Sequence, residues 1–337
     1  MNSYSKEATA KTSTGKTRRD RLASGGLPPE LTEFAEAVLE GLSLEDKAIP
    51  SRFLYDARGS ELFEEITDLD EYYPTRTEIA ILERYGEDMS EQIGRAEALV
   101  EFGSGSSRKT VLLIEALDAL KTYVPMDIEA TCLAQAKEAL DVQFPGLKIQ
   151  PLVADFTRPV DLPESLSGTF KLGFFSGSTI GNLTKPEARK FLANAAKSLG
   201  PGSAFLIGVD LKKPLDILLP AYNDAKGVTA EFNLNLLKRI NRELEGTFDL
   251  DQFEHDAVFN SEHGRVEMHL VSQARQRVSV LGERFDFEAG ERLHTENSHK
   301  YTLPEFRLLA TDAGWRHAAL WVDDGALFSL HLLRLPG

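Results

Sequence analysis

The chain has 337 residues, 42% hydrophobic and 27% charged, which suits one large domain or two ordinary ones and excludes a wholly disordered chain. With 38 Lys plus Arg against 53 Asp plus Glu the net charge is -15, so no nucleic-acid partner and no anionic membrane surface is expected. The single cysteine, Cys132, cannot close an internal disulfide, no Cys/His spacing suggests a metal site, and no apolar run nears the ~20 residues of a membrane span. A reducing cytoplasm is the expected compartment and a monomer the expected state.

Residues 1–27 are polar, with six basic side chains from Lys6 to Arg21 against Glu7 and Asp20, and predict a disordered tail. Within them Gly15-Lys16-Thr17 imitates the end of a phosphate-binding loop, but Ala10 stands where that loop needs its first glycine. From Pro28 to about Met89 the apolar spacing is helical, as in Leu31, Phe34, Ala35, Val38 and Leu39. Glu71-Tyr72-Tyr73-Pro74 interrupts it, because Pro74 pushes Tyr73 towards an extended conformation. Its two tyrosines suit an exposed loop or the wall of a cleft equally well.

From about residue 97 short apolar runs alternate with helical stretches. Strands are predicted at 98–102, 122–126, 148–154, 172–175 and 204–209, with helices such as 110–120 and 186–199 between them. This alternation implies an α/β fold with a doubly wound parallel sheet. Residues 315–322 and 327–335, separated by Asp323-Asp324-Gly325-Ala326, predict a terminal antiparallel hairpin. Residues 211–300 break the alternation: helical first, then strand-like at 266–280, 285–287 and 293–301. The expected division is a substrate-binding α+β lobe from 28–95 plus 211–300, and a cofactor-binding core from 96–210 plus 301–337.

Leu99-Val100-Glu101-Phe102-Gly103-Ser104-Gly105-Ser106-Ser107 reads as a strand entering a glycine turn before a helix. Glycines let a ligand approach the backbone and the helix N-terminus offers free N–H groups, although a plain tight turn would use the same residues. Asp127 ends the second strand, 24 residues after Gly103, where a carboxylate can accept from ribose hydroxyls. Asp155-Phe156 ends the third, where an acid can accept from an adenine amine while the ring packs on the base. Each acid alone is more often a helix cap; three successive strand ends of this kind favour a nucleoside. A dinucleotide fingerprint would need glycine where Arg108 stands. Glu101 before the glycines looks more like the S-adenosylmethionine site of the seven-stranded methyltransferase fold, which also ends in an antiparallel hairpin. Ser107 departs from that pattern's last glycine.

Five longer strings narrow the choice. Phe53-Leu54-Tyr55-Asp56, Glu71-Tyr72-Tyr73-Pro74-Thr75-Arg76-Thr77-Glu78, Gly177-Ser178-Thr179-Ile180-Gly181-Asn182, Ala221-Tyr222-Asn223-Asp224 and Thr295-Glu296-Asn297-Ser298 resemble the histidine Nα-methyltransferase family of ergothioneine biosynthesis, from about residue 30 to the end. The resemblance implies three S-adenosylmethionine-dependent methylations of L-histidine to hercynine. It places Gly103, Lys109, Asp127, Asp155 and Phe156 at the cofactor. Tyr72, Gly177, Asn182, Tyr222, Met268, Glu296, Asn297 and Ser298 fall at the amino acid, with Tyr55 and Asn182 closest to the chemistry. Glu296 and Ser298 are two apart and share a strand face, so a carboxylate and a hydroxyl can serve the two imidazole nitrogens. A solvated strand face is the alternative for that pair. Methylation of another aromatic amino acid, such as a tryptophan derivative, and a non-catalytic nucleoside binder are the competing functions. Gly177-Ser178-Thr179-Ile180-Gly181 imitates a nucleophile elbow but centres on Thr179, and no His-Glu-x-x-His is present.

Overall fold

The structure is a computed structural model that describes residues 26, 28–104 and 108–337; the expected tail, its Gly15-Lys16-Thr17 string and Gly105-Ser106-Ser107 of the glycine turn lie outside the described residues. Helix α1, Pro29–Leu42, opens on a proline whose missing N–H costs nothing in a first turn, and it buries Phe34, Ala35, Val38 and Leu39. Asp56 caps α2, Ala57–Thr67, by accepting from the Gly59 N–H at 2.9 Å. Helix α3, Tyr73–Ile93, also opens with a proline at its first turn. Tyr73 is therefore helical and the break falls at Tyr72, one residue earlier than Pro74 alone suggests.

The alternation follows in chain order: β1 Ala98–Phe102, α4 Arg108–Ala116, β2 Thr122–Asp127, α5 Ala130–Gln143, β3 Lys148–Ile149, β4 Leu152–Val153, β5 Lys171–Phe175, α6 Lys185–Leu199 and β6 Ala204–Asp210. The strand expected at 148–154 is two short pieces, both paired with β2. Pro151 lies at the break and has no N–H to give the ladder. Residues 211–300 hold α7 Val228–Glu243 and then β7 Phe253–Asn260, β8 Arg265–Ser272, β9 Gln276–Val280, β10 Glu283–Phe287 and β11 Arg292–His299. The run expected at 266–280 is thus two strands, and β7, with only Phe253 and Ala257 buried, gives too little alternation to be seen in the sequence. The chain closes on α8 Leu303–Asp312, β12 Arg316–Val322 and β13 Phe328–Arg334.

The main sheet runs β12-β13-β6-β5-β1-β2-β3, with β4 also on β2; β13 is antiparallel to both its neighbours and the inner strands are parallel. From β1 the chain winds outward to β2 and β3 and then returns to β5 and β6 on the other side. That reversal leaves a crevice beyond the carboxyl ends of β1 and β5. Two hydrophobic cores cover the sheet, and successive residues of one strand serve opposite faces: Val100 and Phe175 one, Leu99 and Phe174 the other. A third core joins Phe34, Leu62 and Tyr72 to Leu236, Leu270 and Leu293 around the antiparallel sheet β11-β8-β7. Helix α3 starts in that core with Tyr73 but packs Ile81, Leu82, Met89 and Ile93 on the main sheet, so residues beyond 73 cover the sheet that the sequence set them apart from. Among the described residues no helix is long and apolar enough to cross a membrane.

Candidate functional site

Gly103 leaves β1 at φ 78°, a conformation that favours glycine, and a Cβ there would sit 3.4 Å from the Phe156 ring. Its N–H and that of Ser104 bond the Met126 carbonyl at 2.9 and 3.2 Å, which holds the turn against the end of β2. Asp127 Oδ1 accepts from the Glu129 N–H at 3.1 Å, and burial raises its pKa against the pull of neighbouring backbone donors. Asp155 Oδ1 accepts from the Thr157 N–H at 2.9 Å and its hydroxyl at 2.6 Å. Both acids therefore cap the segment that follows them and still stand at the crevice with Gly103 and Phe156. A glycine against the Phe156 ring and two carboxylates at adjacent strand ends fit a nucleoside with a cationic tail.

Glu101 is engaged within the protein. It is buried in β1, accepts from Thr110 Oγ1 at 2.8 Å and from the Tyr123 hydroxyl, and burial pushes it up to about 7. It ties β1 to α4 and β2.

Lys109, in the first turn of α4, donates at 2.7 Å to Glu78 Oε2, and the Gly177 N–H donates to the same oxygen at 2.8 Å. Gly177 has φ 71°, and a Cβ there would approach Lys109 Nζ to 3.4 Å. Glu78 is fully buried over Gly208, where a Cβ would lie 2.2 Å from its Oε1, and that oxygen has no partner among the described residues. Glu78 was not anticipated from the sequence. It links α3, α4 and the segment leaving β5.

Five residues along that segment, Asn182 closes a short helical turn, Thr179–Asn182, and its amide donates to Glu296 Oε1 at 3.2 Å. Tyr55 donates to the same oxygen at 3.4 Å. Burial pushes Glu296 up to about 7, opposed by the Tyr55 bond and the Lys300 charge. Ser298 lies within 2.8 Å of the Tyr222 hydroxyl, on the face Glu296 occupies. Tyr72 packs edge-on against Tyr222, their ring centroids 6.3 Å apart, and Tyr55 does the same against Phe232 at 5.3 Å. Met268 is buried directly opposite Glu296 in the ladder. Burial raises Tyr55, Tyr72 and Tyr222 well above the ordinary phenol range, so all three are neutral donors.

The structure thus gathers Tyr55, Tyr72, Asn182, Tyr222, Met268, Glu296 and Ser298. Asn297 is the exception. Its Oδ1 lies 3.0 Å from His294 Nε2, on the face of β11 opposite Glu296 and Ser298, because a bulge between His294 and Glu296 turns His294 outward. The structure thus does not bring Asn297, expected at the substrate, together with Glu296 and Ser298. Gly177 meets Lys109 and Glu78 instead of the polar strand face.

Beneath the tyrosines lies a buried ionic group the sequence did not reveal. Asp210, ending β6, pairs with both Lys213 and Lys300 and accepts from the Tyr73 hydroxyl at 2.8 Å. The two lysines hold Asp210 below its ordinary value despite burial; burial pulls Lys213 down to about 8 and lowers Lys300 too. Two signals were present: Asp210 is a third acid at a strand end, and Lys300 continues the alternation of 296 and 298.

Comparison with known proteins accords with this geometry. Residues 34–335 match the family model described as histidine-specific methyltransferase, SAM-dependent. A histidine N-alpha-methyltransferase of Mycolicibacterium smegmatis is 41% identical over 300 residues, covering 88% of this chain and 92% of that one. Ergothioneine biosynthesis protein 1 of Neurospora crassa is 33% identical over 85% of this chain, which spans 33% of that longer protein. The fold alone is shared with a possible exported protein from Bordetella parapertussis, TM-score 0.50 at 13% identity, over 95% of this chain and 93% of that one. The chain belongs to the family of S-adenosylmethionine-dependent, histidine-specific methyltransferases.

Proposed function

We propose that this protein transfers methyl groups from S-adenosylmethionine to the α-amine of L-histidine, three times in succession, giving hercynine in the first step of ergothioneine biosynthesis. The observation that carries this is the buried strand face on which Glu296 and Ser298 stand side by side, with Asn182 and Tyr55 meeting at the Glu296 carboxylate. The family match and the names of the relatives support it. We assign the reaction to a cytoplasmic monomer, with the lobe around β7, β8 and β11 holding the amino acid.

Gly103, Asp127, Asp155 and Phe156 hold the nucleoside of the cofactor, and Lys109 its carboxylate. The cofactor, when bound, supplies a methyl group already activated on a sulfonium. Glu296 accepts the imidazole N–H and Ser298 serves the other ring nitrogen. Asn182 orients the amine, and Tyr72 donates to the substrate carboxylate. What remains for the protein is alignment of the amine with the methyl group and exclusion of water. The phenols stay protonated at neutral pH and so do not take the proton that the amine must lose before it attacks. The Tyr55 ring faces the growing ammonium, a cation–π attraction of about 0.5–2 kcal/mol.

The test is to incubate pure protein with the cofactor and each of the twenty amino acids and follow products by mass. Histidine gaining up to three methyl groups is the expected result. Preference for another amino acid, or cofactor bound with no demethylated cofactor released, would overturn the proposal.

A further inference from the structure

Lys300 is the fully buried side chain nearest the proposed ring-binding pair that no part of the mechanism above uses. Its ammonium has three protons, and three oxygens surround it: Asp210 Oδ2, the Tyr222 hydroxyl at 2.6 Å and Ser298 Oγ at 2.7 Å. Lys300 has no acceptor to offer in return. The two hydroxyls are themselves 2.8 Å apart, so one of their two protons lies between them and one points elsewhere. Tyrosine is the more acidic hydroxyl and therefore the better donor. Either atom is able to donate on distance alone, and this difference in acidity favours the bond from Tyr222 to Ser298.

Ser298 Oγ then receives one proton from Lys300 and one from Tyr222, which fills both of its lone pairs. It can only donate. Glu296, two residues away, can only accept while it is ionised. A ligand ring lying against this face must offer one N–H and one bare nitrogen. Neutral imidazole does. Indole has no bare nitrogen, and imidazolium has two N–H groups.

We propose that Lys300 is a specificity-determining positioning residue, which fixes Ser298 as a donor to the bare ring nitrogen of histidine. The proposal rests on the histidine assignment above. It also implies that Tyr222 has no proton left for the substrate carboxylate while Ser298 is donating, so the carboxylate depends on Tyr72.

The test is a double-mutant cycle of Lys300→Met and Ser298→Ala, reading histidine affinity by calorimetry with demethylated cofactor present. Lys300→Met leaves a lone pair of Ser298 open and is expected to weaken histidine about ten- to a hundredfold. In the Ser298→Ala background the same change should cost little more, because the residue it acts through is gone. Lys300→Gln, which keeps an N–H donor without the charge, should recover part of the loss. Cofactor affinity should hold in all of them. A loss that is equal in both backgrounds, or that strikes cofactor and histidine alike, makes Lys300 a structural residue and overturns the proposal. Should Lys300→Met fail to fold, Tyr222→Phe tests the same lone pair in the same cycle, and equal losses again overturn it. A wild-type protein that does not bind histidine defeats the underlying assignment instead, so the two failures are distinct.

Discussion

In its proposed role, Glu296 is a side chain that would serve binding and weaken the fold. Its carboxyl is pushed from an ordinary value of 4.5 up to about 7, chiefly by burial. The folded chain therefore holds a proton there more tightly than the unfolded chain does. The associated stability is present below the ordinary carboxylate range and is lost as pH rises through about 7. Glu296→Gln should accordingly raise the thermal midpoint of the ligand-free protein above that pH and leave it nearly unchanged in acid, which calorimetry across about pH 5 to 8 can check. Activity has the opposite sign. The imidazole N–H needs the carboxylate form, so kcat/KM for histidine should climb through about 7 in the wild type and lose that inflection in Glu296→Gln. Glu296→Ala should erase most of the preference for histidine over tryptophan, and Met268→Val should enlarge the wall in the same direction. A ratio of kcat/KM values unchanged from wild type would mean Glu296 does not read the ring. On the cofactor side, Asp127→Ala removes a charged acceptor and should weaken S-adenosylmethionine by roughly 1.5–3 kcal/mol in calorimetry.

At the level of elements, the segment that leaves β5 is the hinge of the site, because Gly177 at one end meets Glu78 and Asn182 at the other meets Glu296. Glu78→Ala would strand the Lys109 ammonium, which is nearly buried, at a cost of about 3–5 kcal/mol in urea unfolding. Gly208→Ala forces a methyl group into the space of Glu78 Oε1 and should cost about 1–3 kcal/mol through the same clamp. None of this could be read from the sequence, since Glu78 and Gly177 are 99 residues apart and no periodicity joins them. What could be read was local. The apolar runs at 98–102 and 204–209 announced β1 and β6 because buried parallel strands are apolar on both faces. Strand β7 stayed hidden because one of its faces is mostly wet, and the two pieces at 148–154 because a single proline divides them. Glu296 and Ser298 were legible through their spacing of two, whereas Asn297 was drawn in by neighbouring it, and only the alternation of β11 sets it apart.

Taken whole, the molecule is joined at Asp210. The sheet contributes that carboxylate, the start of α3 contributes Tyr73, and the chain just beyond β11 contributes Lys300. Asp210→Asn leaves two buried ammonium groups facing each other, and a loss of about 3–5 kcal/mol is expected. Because all three cores meet near this group, urea unfolding followed by circular dichroism and by tryptophan fluorescence should move together. Separated transitions, with only one displaced, would show the junction to be weaker than its burial suggests. The sheet order carries one more consequence, for how the chain is made. Strand β13, residues 328–334, lies between β12 and β6, and the core around β11 is completed only after residue 293. A nascent chain that has emerged through β6 exposes that strand's hydrogen-bonding edge until residues 328–334 follow. Completing the sheet thus depends on contacts of large sequence separation, which form slowly relative to the local contacts of helical proteins. During that interval the open edge of β6 is where a chaperone would bind and where aggregation would begin.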